Sequence, residues 1–387
     1  MISALGATVS ENLDALVHSR SGISKITHLS TLHKNKIKVG EVAATNDRLT
    51  EQLQLPKHHN FTRTALLGAI AAKEAVAQSG IGSVRDSRTG LISATTIGGM
   101  DYTERYYKEF ESNPEFQRYI TSHPLGDSTH KIADILGVTG FTTTISTACS
   151  SAANAILLGA RMIRSGILDR VIVGGTDALS KFTINGFNSL LILSDERCRP
   201  FDANRNGLNL GEGAAYLVLA SENVVTAQKS KVLGYVSGYG NANDAFHQTA
   251  SSEKGDGAYL AMEKALKSAN LMPENIDYIN AHGTATINND RSESVALQRI
   301  FGAKMPSFSS TKAFTGHTLA AAGGVEAVFS ILALQEQLVF PNLGFKTPII
   351  ETRLTPETKL QKQKITHVLS NSLGFGGNCT SLIFSEA

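Results

Sequence analysis

The sequence predicts an α/β protein with largely parallel sheets, stacked in five αβαβα layers around a buried pair of helices. Three observations predict it. Short β-branched runs recur along the chain, helical patterns of about a dozen residues or more separate several of them, and two of those helices are apolar on nearly every face. Strands alternating with helices are the pattern of parallel-sheet units. A helix apolar all round has no solvent side and must lie between other layers. One such helix falls in each half of the chain, so the pair is expected between two sheets.

In chain order, Thr62–Gln78 reads as a helix and Gly90–Ser93 (Gly-Leu-Ile-Ser) as a buried strand. Thr142–Ser146 is a Ser/Thr-rich strand, running into the first apolar helix, Ser151–Arg164, which is interrupted only by Arg161. Strands follow at Arg170–Val173 and Ala215–Ala220, then a Lys-containing stretch, Gln228–Leu233, that reads as a seam. Beyond it come helix Gly257–Ala269, strand Ile276–Asn280, helix Arg291–Phe301, the second apolar helix Ala320–Gln337 broken by Glu326, and strand Val368–Asn371. The expected organisation is two loosely repeated halves, residues 1–230 and 231–387. Each sets a reactive residue, Cys149 or His317, just ahead of its apolar helix.

Composition narrows the function. The 387 residues carry 36 Lys plus Arg against 34 Asp plus Glu, a balance of +2 that is too mild for a nucleic-acid binder. Apolar residues at 42% and charged residues at 18% are the reverse of disorder. Cys149, Cys198 and Cys379 form no C-x-x-C, so neither a disulfide framework nor a Cys-rich zinc site is expected, and a reducing compartment is. His58-His59 lacks further ligands at metal spacing, so no metal is expected. Met1–Arg20 has no signal-peptide pattern, and no stretch reaches the roughly 18 uncharged apolar residues of a membrane span. A soluble cytoplasmic protein is expected.

Four segments carry chemistry. Cys149 lies in Ser146-Thr147-Ala148-Cys149-Ser150-Ser151, where a strand ends and a helix begins. The positive end of the helix dipole favours a thiolate there, although a lone thiol is more often small core filling. His282, in Ala281-His282-Gly283-Thr284-Ala285-Thr286, follows a strand at the edge where α/β proteins bind ligands. His317 closes Thr311-Lys312-Ala313-Phe314-Thr315-Gly316-His317. Asn371-Ser372-Leu373-Gly374-Phe375-Gly376-Gly377 is a Gly-rich turn without P-loop spacing, able to aim backbone N–H groups at an oxyanion.

In this order and spacing the set resembles the β-ketoacyl-acyl-carrier-protein synthases of the thiolase superfamily, the elongating Cys-His-His type, over nearly the whole chain. Further matching segments are Gly174-Gly175-Thr176-Asp177, Arg199-Pro200-Phe201-Asp202 and Gly211-Glu212-Gly213-Ala214. The resemblance implies a thiolase-like fold and a decarboxylative Claisen condensation. Cys149 would hold the acyl group, and the N–H groups of Cys149 and Phe375 would form the oxyanion hole. His282 and His317 would hydrogen-bond the enolate, neutral and with Nε2 donating. It further implies a buried ion pair of Lys312 with Glu293, Thr284 and Thr286 on the phosphopantetheine arm, and Gly374 and Phe375 as a gate. Met100 and Tyr102 would bound the acyl pocket near a dimer interface. No resident cofactor is implied, since the acyl carrier protein brings the arm. The second subunit would be identical or a chain-length-factor-like partner, and Lys57, Arg63, Arg197 and Arg199 are candidate carrier contacts.

Some segments depart from the family pattern. Met1-Ile2-Ser3 begins where the family's first strand would be ending, Leu193–Phe201 is short, Asn378-Cys379 stands where Thr-Asn is usual, and Arg205–Leu210 is less acidic and aromatic. They point to a specialised branch that makes aryl polyene or flexirubin-type pigments. A thiolase would need a second catalytic Cys, for which Cys379 is the only late candidate. A non-catalytic chain-length factor would lack the nucleophile that is present here. No G-x-S-x-G elbow supports a hydrolase.

Overall fold

The computed structural model describes residues 1–387. Its N-terminal sheet contains β1 (Thr89–Ala94), β2 (Thr142–Ile145), β3 (Arg170–Asp177) and β4 (Gly213–Ala220), in the order β2-β1-β3-β4. β1 runs parallel to β2 and β3, and β4 runs antiparallel to β3. The C-terminal sheet contains β5 (Tyr235–Asn243), β6 (Tyr278–Asn280), β7 (Ser307–Ser309), β8 (His367–Leu373) and β9 (Asn378–Ser385), in the order β5-β9-β8-β6-β7. β6 is parallel to β7 and β8, whereas β9 is antiparallel to β8 and β5.

Both sheets are therefore mixed rather than largely parallel. The Gly374–Gly377 turn leaves β8 and β9 only four residues to reverse, which permits a hairpin and no crossover. The two sheets repeat one plan, a parallel trio followed by an antiparallel strand. The C-terminal sheet adds β5 beside β9. At the corresponding edge of the N-terminal sheet, Ile2 alone exchanges two backbone bonds with Ala214 of β4, at 2.8 and 2.9 Å.

The helices supply the other layers. α1 (Arg63–Ser79) and α3 (Leu125–Leu136), with the short α2 (Met100–Tyr106) between them in sequence, lie on the N-terminal side. α4 (Ser151–Arg164) packs under β1 and β3; α5 (Lys181–Ser189) follows the sheet's third strand. α6 (Asp256–Ala269) and α7 (Ile287–Phe301) cover the C-terminal sheet, and α8 (Ala322–Glu336) lies between β4, β8 and α4. The five layers and the central helix pair are as expected, with element ends within a few residues of the sequence reading.

The two central helices differ in burial. Every residue of α8 from Ala322 to Leu334 is buried, including Glu326. Leu319–Glu336 has the length and hydropathy of a membrane span, but it is packed inside the protein. α4 is less enclosed than its composition suggests: Leu157, Leu158 and Ile163 are only half-buried. β2 is half-buried along its whole length and has no partner on its outer edge.

Candidate active site

Cys149 sits in a tight elbow between β2 and α4. Ala148, just before it, has φ +51°, a left-handed backbone that costs an L-residue about 1–2 kcal/mol. Side chains hold the elbow closed: Ser151 Oγ donates to Ala148 O at 2.5 Å and accepts from Thr147 N–H at 2.8 Å. The thiol is buried and lies 2.9 Å from His317 Nε2. Burial pushes it up to about 11, although the Lys312 charge and the Phe375 N–H both favour the thiolate. Desolvation thus outweighs the helix dipole invoked from sequence, and the resting group is a thiol.

His317 is fixed through its backbone. Its N–H donates to Asn209 O at 2.7 Å and its carbonyl accepts from Gly211 N–H at 2.9 Å, while Nδ1 makes no hydrogen bond within the protein. The His282 ring stands edge-on to it, with centroids 5.4 Å apart and planes at 87°. Lys312 Nζ lies 3.2 Å from His282 Nδ1 and donates to His282 O at 2.6 Å. An ammonium has no acceptor, so Nδ1 must accept and the proton of the neutral ring must sit on Nε2. Burial first, and then the Lys312 charge, hold both histidines well below the ordinary range. Both rings are therefore neutral near pH 7.

The partner expected for Lys312 is wrong. Its ammonium, 2% exposed, pairs with Glu326 of α8. Glu293 instead accepts from the N–H groups of His282 and Gly283, both at 2.8 Å, and from Asn371 Nδ2 at 3.2 Å. Glu293 on α7 faces the backbone that carries His282, whereas α8 brings Glu326 against the turn that carries Lys312. The sequence signal was available: a lone acid inside a fully apolar helix has to be paired.

Cys149, His282 and His317 share a cavity of about 230 Å³ with Thr284, Thr286, Gly374 and Phe375. Thr284 Oγ1 and Thr286 Oγ1 are 2.9 Å apart. The Phe375 ring stacks on Phe187 at 5.7 Å. Gly374 is a close-approach position, since a Cβ there would lie 2.9 Å from Thr147 O and 3.3 Å from Cys149 N. Met100 and Tyr102 do not line this cavity: Met100 packs on the N-terminal core, and Tyr102 sits against Tyr106 and Tyr119. Arg63 is no surface cation either, because it is buried against Glu212, which accepts from Nε and Nη2 at 2.5–3.0 Å. Lys57 and Arg197 are exposed; Arg197 and Arg199 line a separate cleft with Lys38 and Lys346. Cys379 lines the cavity and donates to Gly377 O at 3.4 Å, with its thiol pushed up to about 12 by burial. His59 serves its own loop, with Nε2 bonded to Thr50 Oγ1 at 3.0 Å and Nδ1 accepting from Phe61 N–H.

One group was seen in the sequence only as a departure from the family pattern. Asn378 Oδ1 accepts from Ser150 Oγ at 2.7 Å, Asn154 Nδ2 at 2.8 Å and Asn241 Nδ2 at 3.0 Å, and its carbonyl accepts from Gly374 N–H at 2.8 Å. It ties the residue after Cys149 to the residue before Phe375.

Residues 1–224 match the family model for the beta-ketoacyl synthase N-terminal domain, and residues 233–346 match that for the C-terminal domain. The chain belongs to the β-ketoacyl synthase family. It is 33% identical over 399 residues to 3-oxoacyl-[acyl-carrier-protein] synthase 2 of Staphylococcus aureus, covering 100% of this chain and 96% of that protein. The protein of the same name from Rhizobium meliloti is 37% identical over 350 residues, covering 85% and 82%. Among solved structures, the ishigamide ketosynthase/chain length factor superposes with a TM-score of 0.92 at 27% identity, covering 100% and 97%. A ketosynthase in complex with its chain length factor from Xenorhabdus doucetiae gives 0.85 at 32% identity, covering 100% and 96%. The fold is the thiolase-like α/β fold of these ketosynthases, and the family's chemistry is carbon–carbon bond formation by acyl transfer.

Proposed function

We propose that this β-ketoacyl synthase condenses malonyl-acyl-carrier protein with an acyl group held as a thioester on Cys149. The observation that carries the reading is the convergence of Cys149 Sγ, His317 Nε2 and the edge-on His282 ring in one cavity, with Phe375 N–H directed at the sulfur. In the first half-reaction the sulfur attacks the carrier thioester, a C–S bond forms, and the thiol of the arm leaves with the proton lost by Cys149. The N–H groups of Cys149 and Phe375 are the oxyanion donors. In the second, malonyl-carrier loses carbon dioxide and the enolate carbon attacks the acyl carbonyl. The new C–C bond expels the Cys149 thiolate, while Nε2–H donors of His282 and His317 face the enolate oxygen. Burial and then the Lys312 charge hold the histidines neutral, Glu326 pairs with Lys312, Glu293 holds the His282 turn, and Thr284 and Thr286 hydrogen-bond the arm.

In this reading residues 1–230 bring the nucleophile, and residues 231–387 bring the histidines and the gate formed by Gly374 and Phe375. The phosphopantetheine arm arrives with the substrate, so no resident cofactor is required. Three free cysteines suit a reducing, cytoplasmic setting. The open edge of β2 and the half-buried side of α4 support a dimer through the N-terminal sheet, homodimeric or with a chain-length-factor-like subunit. Met100 and Tyr102 would then bound an acyl pocket that the second subunit completes. One observation favours the aryl polyene branch as a second reading: Tyr102, Tyr106, Phe116 and Tyr119 form a contiguous aromatic cluster, with Tyr106 and Tyr119 stacked at 4.4 Å. Intact-protein mass spectrometry with saturated, aryl and polyenoyl carrier proteins tests the reading. An acyl increment on the wild type that is lost in Cys149→Ala supports it, and no increment from any donor overturns it.

A further inference from the structure

The residues around the Cys149 cavity are unusual in carrying no charge. None of the 24 lining residues is Lys, Arg, Asp or Glu. Two of them are large apolar side chains held out in solvent, Leu191 at 87% exposure and Ile287 at 68%. Leu191 follows the end of α5 with φ +56°, a left-handed backbone unfavourable for a branched residue, secured by its N–H on Asn188 O at 3.0 Å. Ile287 opens α7 on a rigid base: buried Arg205 donates to the carbonyls of Thr286 at 3.2 Å and Ile287 at 2.6 Å. That guanidinium also holds Asp202 O at 3.0 Å, so this cation faces inward and is unavailable to an acidic visitor.

We infer that Leu191 and Ile287 form an apolar docking collar for the carrier protein, gripping the apolar surface beside the root of its arm. The inference rests on the ketosynthase reading. A cavity of about 230 Å³ admits an arm and not a protein, so a carrier whose thioester reaches Cys149 must rest its body on this rim. Exposed, pre-positioned apolar side chains around a pocket mark a surface for interaction with another molecule. The cations of the neighbouring cleft, Lys38, Arg197, Arg199 and Lys346, do not line the cavity, which leaves them to steer the approach rather than hold the complex.

The experiment compares rates of Cys149 acylation from a carrier-borne donor and from the same acyl group on free pantetheine, by intact mass, for wild type, Leu191→Gln/Ile287→Gln and Arg197→Glu/Arg199→Glu. The glutamines remove apolar contact without adding charge. The expected result is a fall of roughly tenfold in the carrier-to-pantetheine ratio for the glutamine pair, and a smaller one for the glutamate pair. An unchanged ratio, or a larger fall in the glutamate pair, overturns the collar. So does a shift in sedimentation mass of the glutamine pair, which would make the rim a subunit contact. If the wild type takes no acyl group from any donor in the saturated, aryl and polyenoyl panel, the ketosynthase reading fails and the collar with it.

Discussion

Lys312 brings a full charge to a place with almost no solvent, and two neutral histidines depend on it. Burial first, and then its field, hold His282 and His317 well below the ordinary range, so their neutral forms persist as pH falls through about 6.5. The condensation rate, followed by single turnover from roughly pH 5 to pH 8, should therefore show no acid limb near 6.5. Glu326 answers that charge at its own cost, because burial pushes its carboxyl up to about 7 from an ordinary 4.5. A folded-state value above the unfolded one means that its contribution is fully present below about pH 4.5 and is lost as pH rises through about 7. Removing the ammonium raises that upper limit further and leaves the acid unpaired. Lys312→Met should thus cost about 3–5 kcal/mol at pH 8 and clearly less at pH 5, measured by urea unfolding. Equal costs at the two pH values would show that Glu326 is not its charge partner.

The elbow before α4 and the β8–β9 hairpin belong to different halves of the chain, and Asn378 joins them. Its side chain holds Ser150 and its carbonyl holds Gly374, so the N–H groups of Cys149 and Phe375 are spaced through one residue. Asn378→Ala should slow acylation by roughly tenfold or more at saturating donor with little change in half-saturation, since a misplaced oxyanion donor acts on the transition state. Burst kinetics check this, and a change confined to half-saturation would refute it. At this scale the sequence is legible where an element carries its own signal. α8 is apolar on nearly every face, and Cys149, His282 and His317 each stand at a junction beside small or hydroxyl residues. β5 was not among the strands read from the sequence, because Gly238 and Gly240 interrupt any β-branched run there. In the fold those glycines let α6 lie directly on the strand, where a Cβ would come within 2.5 Å of Ala265 O or 2.1 Å of Ala261 O. The partner of Lys312 was legible only in part. An acid inside an apolar helix signals that Glu326 is paired, but which cation it meets depends on how α8 crosses the turn at Lys312, which no local pattern encodes.

On the scale of the whole molecule, the nucleophile comes from one sheet's edge and its histidines from the other's, so the site is only as exact as the fit between the halves. That fit is made by α4 against α8. Gly323 is a point of close approach between the helices: a Cβ there would lie 2.8 Å from Ala153 N, 2.8 Å from Ser372 Oγ and 2.9 Å from Ala153 Cβ. Backbone cannot yield as a flexible side chain can, so an added side chain must push the helices, and with them Cys149 and His317, apart. Gly323→Val should cost about 1–3 kcal/mol by overpacking. A displacement of about 1 Å between reacting groups can cost about a hundredfold in rate, so acylation should fall far more than the folded fraction does. Gly186→Ala in α5 is the control, because nothing lies within 4 Å of its added Cβ and alanine favours the helix by about 0.5–1 kcal/mol. Thermal unfolding read beside the Cys149 acylation rate, at a temperature where both variants remain folded by circular dichroism, decides the matter. If Gly323→Val loses stability but acylates at the wild-type rate, the 2.9 Å approach of His317 to Cys149 is held by the local elbow rather than by the packing of the halves.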